Sequence, residues 1–167
     1  IPETGTEGLE WIADVEDAGD LFTVSAWFMV FAGLFDRFPG MKIITHHMGA
    51  MAPYFEGRVG PGWDQLGVRT TDEDYAGVLR RLKKRPVDYF RMFYADTALF
   101  GAYAATVCGL AFFGPAHVLF ASDAPFDPER GPMYIRETIG VIDRLPISDE
   151  DRERIYWRNA VQLLKLD

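Results

Sequence analysis

The chain has 167 residues, 49% of them hydrophobic and 25% charged, which fits one globular domain (1–167) with a true core. A formal charge of −8 argues against nucleic acid as the main partner, because phosphate contacts need a basic face. No apolar run reaches the ~18 residues of a membrane span and no secretory signal pattern is visible. The single Cys108 excludes an internal disulfide, which suits a reducing cytoplasm.

Within residues 1–20, Leu9, Trp11, Ile12 and Val15 are spaced for a short helical face. Residues 21–38, LFTVSAWFMVFAGLFDRF, predict a buried helix that Pro39-Gly40 ends. MKIITHH then predicts a short buried strand. Ala50–Val59 is expected to be a loop leading into a helix, Gly60–Thr71 a surface loop, and 72–84 a charged amphipathic helix. The cluster Arg80-Arg81-Leu82-Lys83-Lys84-Arg85 is expected as a solvated helix end. RMFYADTAL predicts a second strand and GAYAATVCGLAFF a helix stopped by Gly114-Pro115, with Cys108 packed on it. HVLFASDAP predicts a third strand, followed by the loop FDPERGP, a helix over Met133–Asp143 and a last helix N-capped by Ser148. Strands alternating with helices predict an α/β architecture with a parallel sheet.

In parallel α/β proteins, chemistry collects at the carboxyl ends of strands. The three strands here end in Thr45-His46-His47, Asp96-Thr97 and Ser122-Asp123. Each alone has a plain structural reading, an Asp capping the next helix or a hydrogen-bonded core His. Together they are the usual materials of a divalent-metal site. His46 and His47 are adjacent, so on a strand they would point to opposite faces, one into the site and the other supporting it. His117 precedes its strand at the amino end and reads as structural.

HHMGAMAPYFEGR followed by LFASDAPFD resembles the amidohydrolase-related family, which includes aminocarboxymuconate-semialdehyde decarboxylase and the γ-resorcylate-type decarboxylases. FDRFPGMKI, FYADT and the closing Arg158-Asn159-Ala160 helix match in the same order. The resemblance implies a metal-dependent (β/α)8 barrel, of which this chain would supply about strands 6–8. It implies that His47 is an active-site acid/base, that Asp123 is a metal ligand and also catalytic, and that Arg58 binds a substrate carboxylate. His46 and Asp96 would support the site. It further implies a divalent metal, zinc first and manganese next, and a small aromatic or enol carboxylic acid as substrate. Decarboxylation is the first reading and metal-dependent hydrolysis the second.

The family's H-x-H or E-x-H ligand pair does not occur in residues 1–40, which hold no histidine. A whole barrel needs about 250 residues. A third reading is therefore a non-catalytic paralogue or assembly partner. The expected context is a homo-oligomer or a missing N-terminal half, with cover for Trp27, Phe28, Phe31 and Phe35.

Overall fold

The structure, a computed structural model, describes residues 18–68 and 74–166, with side chains from residue 25. The expected helical face of Leu9 to Val15 lies outside the described residues. The chain divides into two compact units, Ile1–Lys42 with Ala50–Met92, and Ile43–Gly49 with Phe93–Asp167.

The first unit is helical. Helix α1 spans Ala18–Phe31 and α2 spans Leu34–Arg37. The single helix expected over 21–38 is thus broken. Gly33 adopts φ 68°, ψ 30°, a left-handed conformation open to glycine, and restarts the helix on a new axis. Phe35 is buried and stacks on Tyr89 at 6.2 Å. The Tyr89 hydroxyl donates to Asp36 Oδ2 at 2.7 Å and accepts the backbone N–H of Lys83 and Lys84. Burial pushes the Asp36 carboxyl up, but the Tyr89 and Lys83 hydrogen bonds and two lysine charges outweigh it and hold it below the usual range.

Trp63 stacks on Trp27 at 5.6 Å and meets Phe31 and Phe90 at 5.2 and 5.4 Å. The rings expected to need outside cover thus find much of it within this unit. Phe31 and Phe35 are buried, whereas Trp27 keeps 39% of its surface exposed. Part of the expected 60–71 surface loop is helical instead, a π turn at Arg58–Gly62 followed by a 3-10 turn at Trp63–Gln65. Val59 and Gly60 are buried within the π turn. Helix α3, Tyr75–Arg81, is shorter than expected and is capped by Asp74, whose side chain accepts the Gly77 N–H. Arg80 and Arg81 end it in solvent as expected. Helix α4, Pro86–Phe90, was not anticipated. Pro86 sits at its first turn, where a missing N–H costs nothing.

The second unit holds a three-stranded parallel sheet in the order β1 (Ile44–Thr45), β2 (Tyr94–Asp96), β3 (Val118–Leu119). The register aligns Thr45 with Ala95 and Asp96 with Leu119. All three strands fall inside the expected segments but are shorter. Between them run α5, Tyr103–Phe113, and after β3 come α6, Pro132–Arg144, and α7, Asp149–Glu153. Gly114 at φ 75° stops α5 as expected, and the Ser148 hydroxyl accepts the Asp151 N–H at 3.1 Å, as an N-cap should. Helix α7 continues through a π turn, Arg154–Arg158, into α8, Asn159–Leu164. Phe93, Ala95, Val118, Val141, Ile142 and Ile155 form the dry core under the strands.

Asn159 explains the Arg-Asn-Ala motif. Its buried Nδ2 donates to the carbonyls of Pro115 and Val118, both at 2.7 Å, and so ties α8 to the amino end of β3. His117 lies at that same end. Its ring stacks on Tyr94 at 4.7 Å and Nδ1 meets the Phe93 carbonyl at 3.2 Å, the structural role expected of it. Cys108 is half-buried on α5.

Candidate active site

Polar side chains gather at the opposite, carboxyl end of the sheet. Strand β1 stops at Thr45, so His46 and His47 are not strand residues and the expected alternation of faces does not apply. From His47 the backbone enters the left-handed region for four residues: His47 φ 49°, Met48 φ 55°, Gly49 φ 76° and Ala50 φ 51°. Each non-glycine residue there costs of order 1–3 kcal/mol. The turn therefore persists only because its surroundings over-determine it.

Three contacts supply that restraint. The His47 N–H donates to Asp96 Oδ1 at 2.9 Å. Met48 is buried and sits against Gly109 of α5, where a Cβ would come within 1.8 Å of Met48 Cγ. Burial of a methionine is worth roughly 1.5–3 kcal/mol, comparable with the strain of one or two residues. Gly49 leaves space for Phe113, whose Cζ would lie 2.6 Å from an added Cβ.

Asp96 organises both flanking segments. Its Oδ1 also accepts the Ala98 N–H at 3.0 Å, and its Oδ2 lies 3.8 Å from Nδ1 of the exposed His46. Burial pushes the Asp96 carboxyl above the usual carboxylate range, against the pull of the Ala98 and His47 N–H groups and the two imidazoles. The half-buried His47 places Nδ1 at 2.7 Å from the Ala98 carbonyl. A carbonyl only accepts, so this partner assigns the proton to Nδ1 and leaves Nε2 for chemistry. His47, His46 and Asp96 are thus brought together.

Asp123 ends the third strand segment in the left-handed region, φ 63°, half-buried, and its carboxylate meets no described hydrogen-bond or ion-pair partner. Thr97 links that segment to β2. Its hydroxyl donates to the Ala121 carbonyl at 2.8 Å and accepts the Ala121 N–H at 3.0 Å. Among the described residues, no three His, Cys, Asp or Glu side chains cluster closely enough to hold a metal ion. Asp123 is a suitable hard oxygen donor, but these residues alone do not make a complete metal site.

In the first unit, Arg58 lines a groove of about 710 Å³ with Tyr54, Phe55 and Trp63. Its guanidinium has no ion-pair partner among the described residues, whereas Arg85, Arg91, Arg136 and Arg154 are paired with carboxylates.

Two residues went unnoticed in the sequence. The sequence marks Thr97 only as a strand end. Asp127, within the expected loop, is buried and accepts the N–H groups of Glu129 and Tyr134 at 2.7 and 3.2 Å, anchoring the start of α6. Burial alone would raise its carboxyl, but four backbone N–H groups, Tyr134 foremost, hold it below the usual range. Its place between two helix signals, in Asp-Pro-Glu-Arg-Gly-Pro, was the available cue.

A family profile described as amidohydrolase matches residues 9–166. The chain belongs to the amidohydrolase family. Among curated proteins, this amidohydrolase chain is 31% identical over 150 residues to a γ-resorcylate decarboxylase of a Polaromonas species, covering 89% of this chain and 42% of that one. It is 28% identical over 131 residues to the 2-amino-3-carboxymuconate-6-semialdehyde decarboxylase of Caenorhabditis elegans, covering 78% of this chain and 29% of that protein. The chain spans about two-fifths of the length of the first curated relatives it matches, 42%, 38% and 40%.

Among solved structures it superposes on a Polaromonas dihydroxybenzoic acid decarboxylase with bound manganese and 2-nitroresorcinol. The TM-score is 0.70 at 28% identity, over 99% of this chain and 47% of that one. A 2,6-dihydroxybenzoate decarboxylase in complex with 2,6-dihydroxybenzoate gives a TM-score of 0.68 at 25% identity, over 89% and 42% of the two chains. The α/β fold with a parallel sheet is therefore that of the barrel enzymes of this family.

Proposed function

We propose that residues 1–167 are the C-terminal portion, about strands 6–8, of a metal-dependent (β/α)8 barrel that decarboxylates a small aromatic or enol carboxylic acid. The observation that carries this reading is the His47 imidazole, held with Nδ1 on the Ala98 carbonyl and Nε2 uncommitted at the carboxyl end of the sheet. Protonated at both nitrogens, it donates from Nε2 to the ring carbon that bears the carboxylate. The carbon–carbon bond then breaks, carbon dioxide leaves, and the bonding pair returns to the ring. Throughout, Nδ1–H stays on Ala98, so the imidazole does not need to reorient between proton loss and proton uptake.

Asp123 is the proposed metal ligand within this chain. The remaining ligands would come from outside the described residues. A bound divalent ion would supply electrostatic stabilisation of the substrate's oxygens. The neighbour with bound manganese favours that metal over the zinc first expected. Arg58 is the proposed carboxylate clamp, on the strength of its uncommitted guanidinium in an aromatic-lined groove. His46 and Asp96 would hold the His47 turn.

The test is carbon dioxide release and product analysis with 2,6-dihydroxybenzoate, using the full-length protein with manganese or zinc. Metal-dependent formation of resorcinol supports the reading. Turnover of ester or amide substrates without carbon dioxide would replace it with hydrolysis. A full-length protein that binds no metal would replace both with the third reading, a non-catalytic paralogue or assembly partner.

A further inference from the structure

Strand β2 is followed by a tight turn that the sequence does not favour. The Ala102 N–H closes it on the Leu99 carbonyl at 3.0 Å, and its two central residues are Phe100 at φ 54° and Gly101 at φ 84°. Such a turn calls for Asn or Gly at its first central position, and a bulky residue there is an outlier. Burial does not compensate the strain, since Phe100 keeps 47% of its surface exposed.

The ring nevertheless has a defined place. It stacks on Tyr134 of α6, centroids 4.2 Å apart and planes 20° from parallel. It also meets the His47 imidazole, centroids 5.9 Å apart and planes inclined by 63°. Gly101 allows this by running close to α6, where an added Cβ would lie 2.9 Å from Glu137 Cβ. A strained, exposed aromatic beside an acid/base side chain is better explained by what it binds than by what it packs.

We propose that Phe100, backed by Tyr134, is a specificity-determining shelf on which the flat ring of an aromatic acid lies beside His47. This deepens the decarboxylase reading and rests on it for the role of His47. Stacking rewards a planar π face and gives a saturated ring of the same size no equivalent gain. The shelf would therefore select aromatic over alicyclic carboxylates.

The test measures binding of 2,6-dihydroxybenzoate and of cyclohexanecarboxylate to the full-length protein by calorimetry, with carbon dioxide release followed in parallel. Phe100→Gly removes the ring and suits the left-handed backbone, so it does not endanger folding. It should weaken the aromatic acid about tenfold and leave cyclohexanecarboxylate unchanged. Phe100→Trp should retain the preference. Equal losses for both acids, no change for either, or a wild type that binds neither would overturn the shelf. Unchanged KM in Phe100→Gly with carbon dioxide release intact would overturn the shelf alone. Wild type that prefers the aromatic acid, loses that preference in Phe100→Gly and releases no carbon dioxide would leave the shelf standing and remove the decarboxylase reading.

Discussion

The two ends of the sheet in the second unit are built on opposite principles. At the amino end, Asn159 satisfies two carbonyls, and His117 lies flat on Tyr94. At the carboxyl end, His47, Met48, Ala50, Phe100 and Asp123 all carry positive φ, His46 stands exposed beside Asp96, and the Asp123 carboxylate meets no described partner. One end minimises free energy locally, while the other holds strained backbone in place with Asp96, Gly49 and Gly109. The contrast teaches where stability and chemistry separate within one small sheet.

Breaking the carboxyl end should cost activity first. His47→Asn, in which Asn tolerates the left-handed backbone, should lower kcat by about 10²–10⁴-fold with little change in thermal midpoint. A comparable loss of Tm would place His47 on the structural side instead. Breaking the amino end should do the reverse. Asn159→Ala removes the side-chain donor from the buried Val118 carbonyl and the half-buried Pro115 carbonyl and should destabilise the fold by about 1–3 kcal/mol, read as a lower urea midpoint, with kcat unchanged.

The smallest effect sharpens the comparison through pH. The folded-state pKa of Asp96 is raised above its ordinary 3.8, chiefly by burial. The folded state thus binds its proton more tightly than the unfolded chain. Its contribution to stability is fully present below pH 3.8 and is lost as pH rises through the raised folded value. Asp96→Asn keeps an oxygen for the His47 and Ala98 N–H groups and removes this titration. Urea midpoints of the variant should fall less than those of wild type across that window. Identical slopes would show that the Asp96 carboxylate is not held at a cost.

Much of the architecture was legible because it rests on local signals. Pro39-Gly40, Gly114-Pro115 and Ser148 marked helix boundaries where backbone chemistry leaves few options. The strand segments were legible as apolar runs, but their length was not, since a parallel strand extends only as far as a neighbour's hydrogen bonds. Helix α4 escaped because five residues carry too little periodicity to register. The break at Gly33 escaped because the apolar pattern continues through it.

The site divides the same way. Polar residues at the strand ends made His46, His47, Asp96 and Asp123 candidates, the resemblance added Arg58, and the ordered motifs were sufficient to reach the amidohydrolase family. Only the tertiary structure decided that the histidines leave the strand in a left-handed turn, that Ala98 takes Nδ1 of His47, and that Phe100 stands beside it. The physical reason is that local sequence selects conformations which are cheap by themselves. Three consecutive residues, His47, Met48 and Gly49, with Ala50 after them, can hold an expensive one only when Asp96, Gly109 and Phe113, brought in from about fifty to sixty residues away, restrain it together.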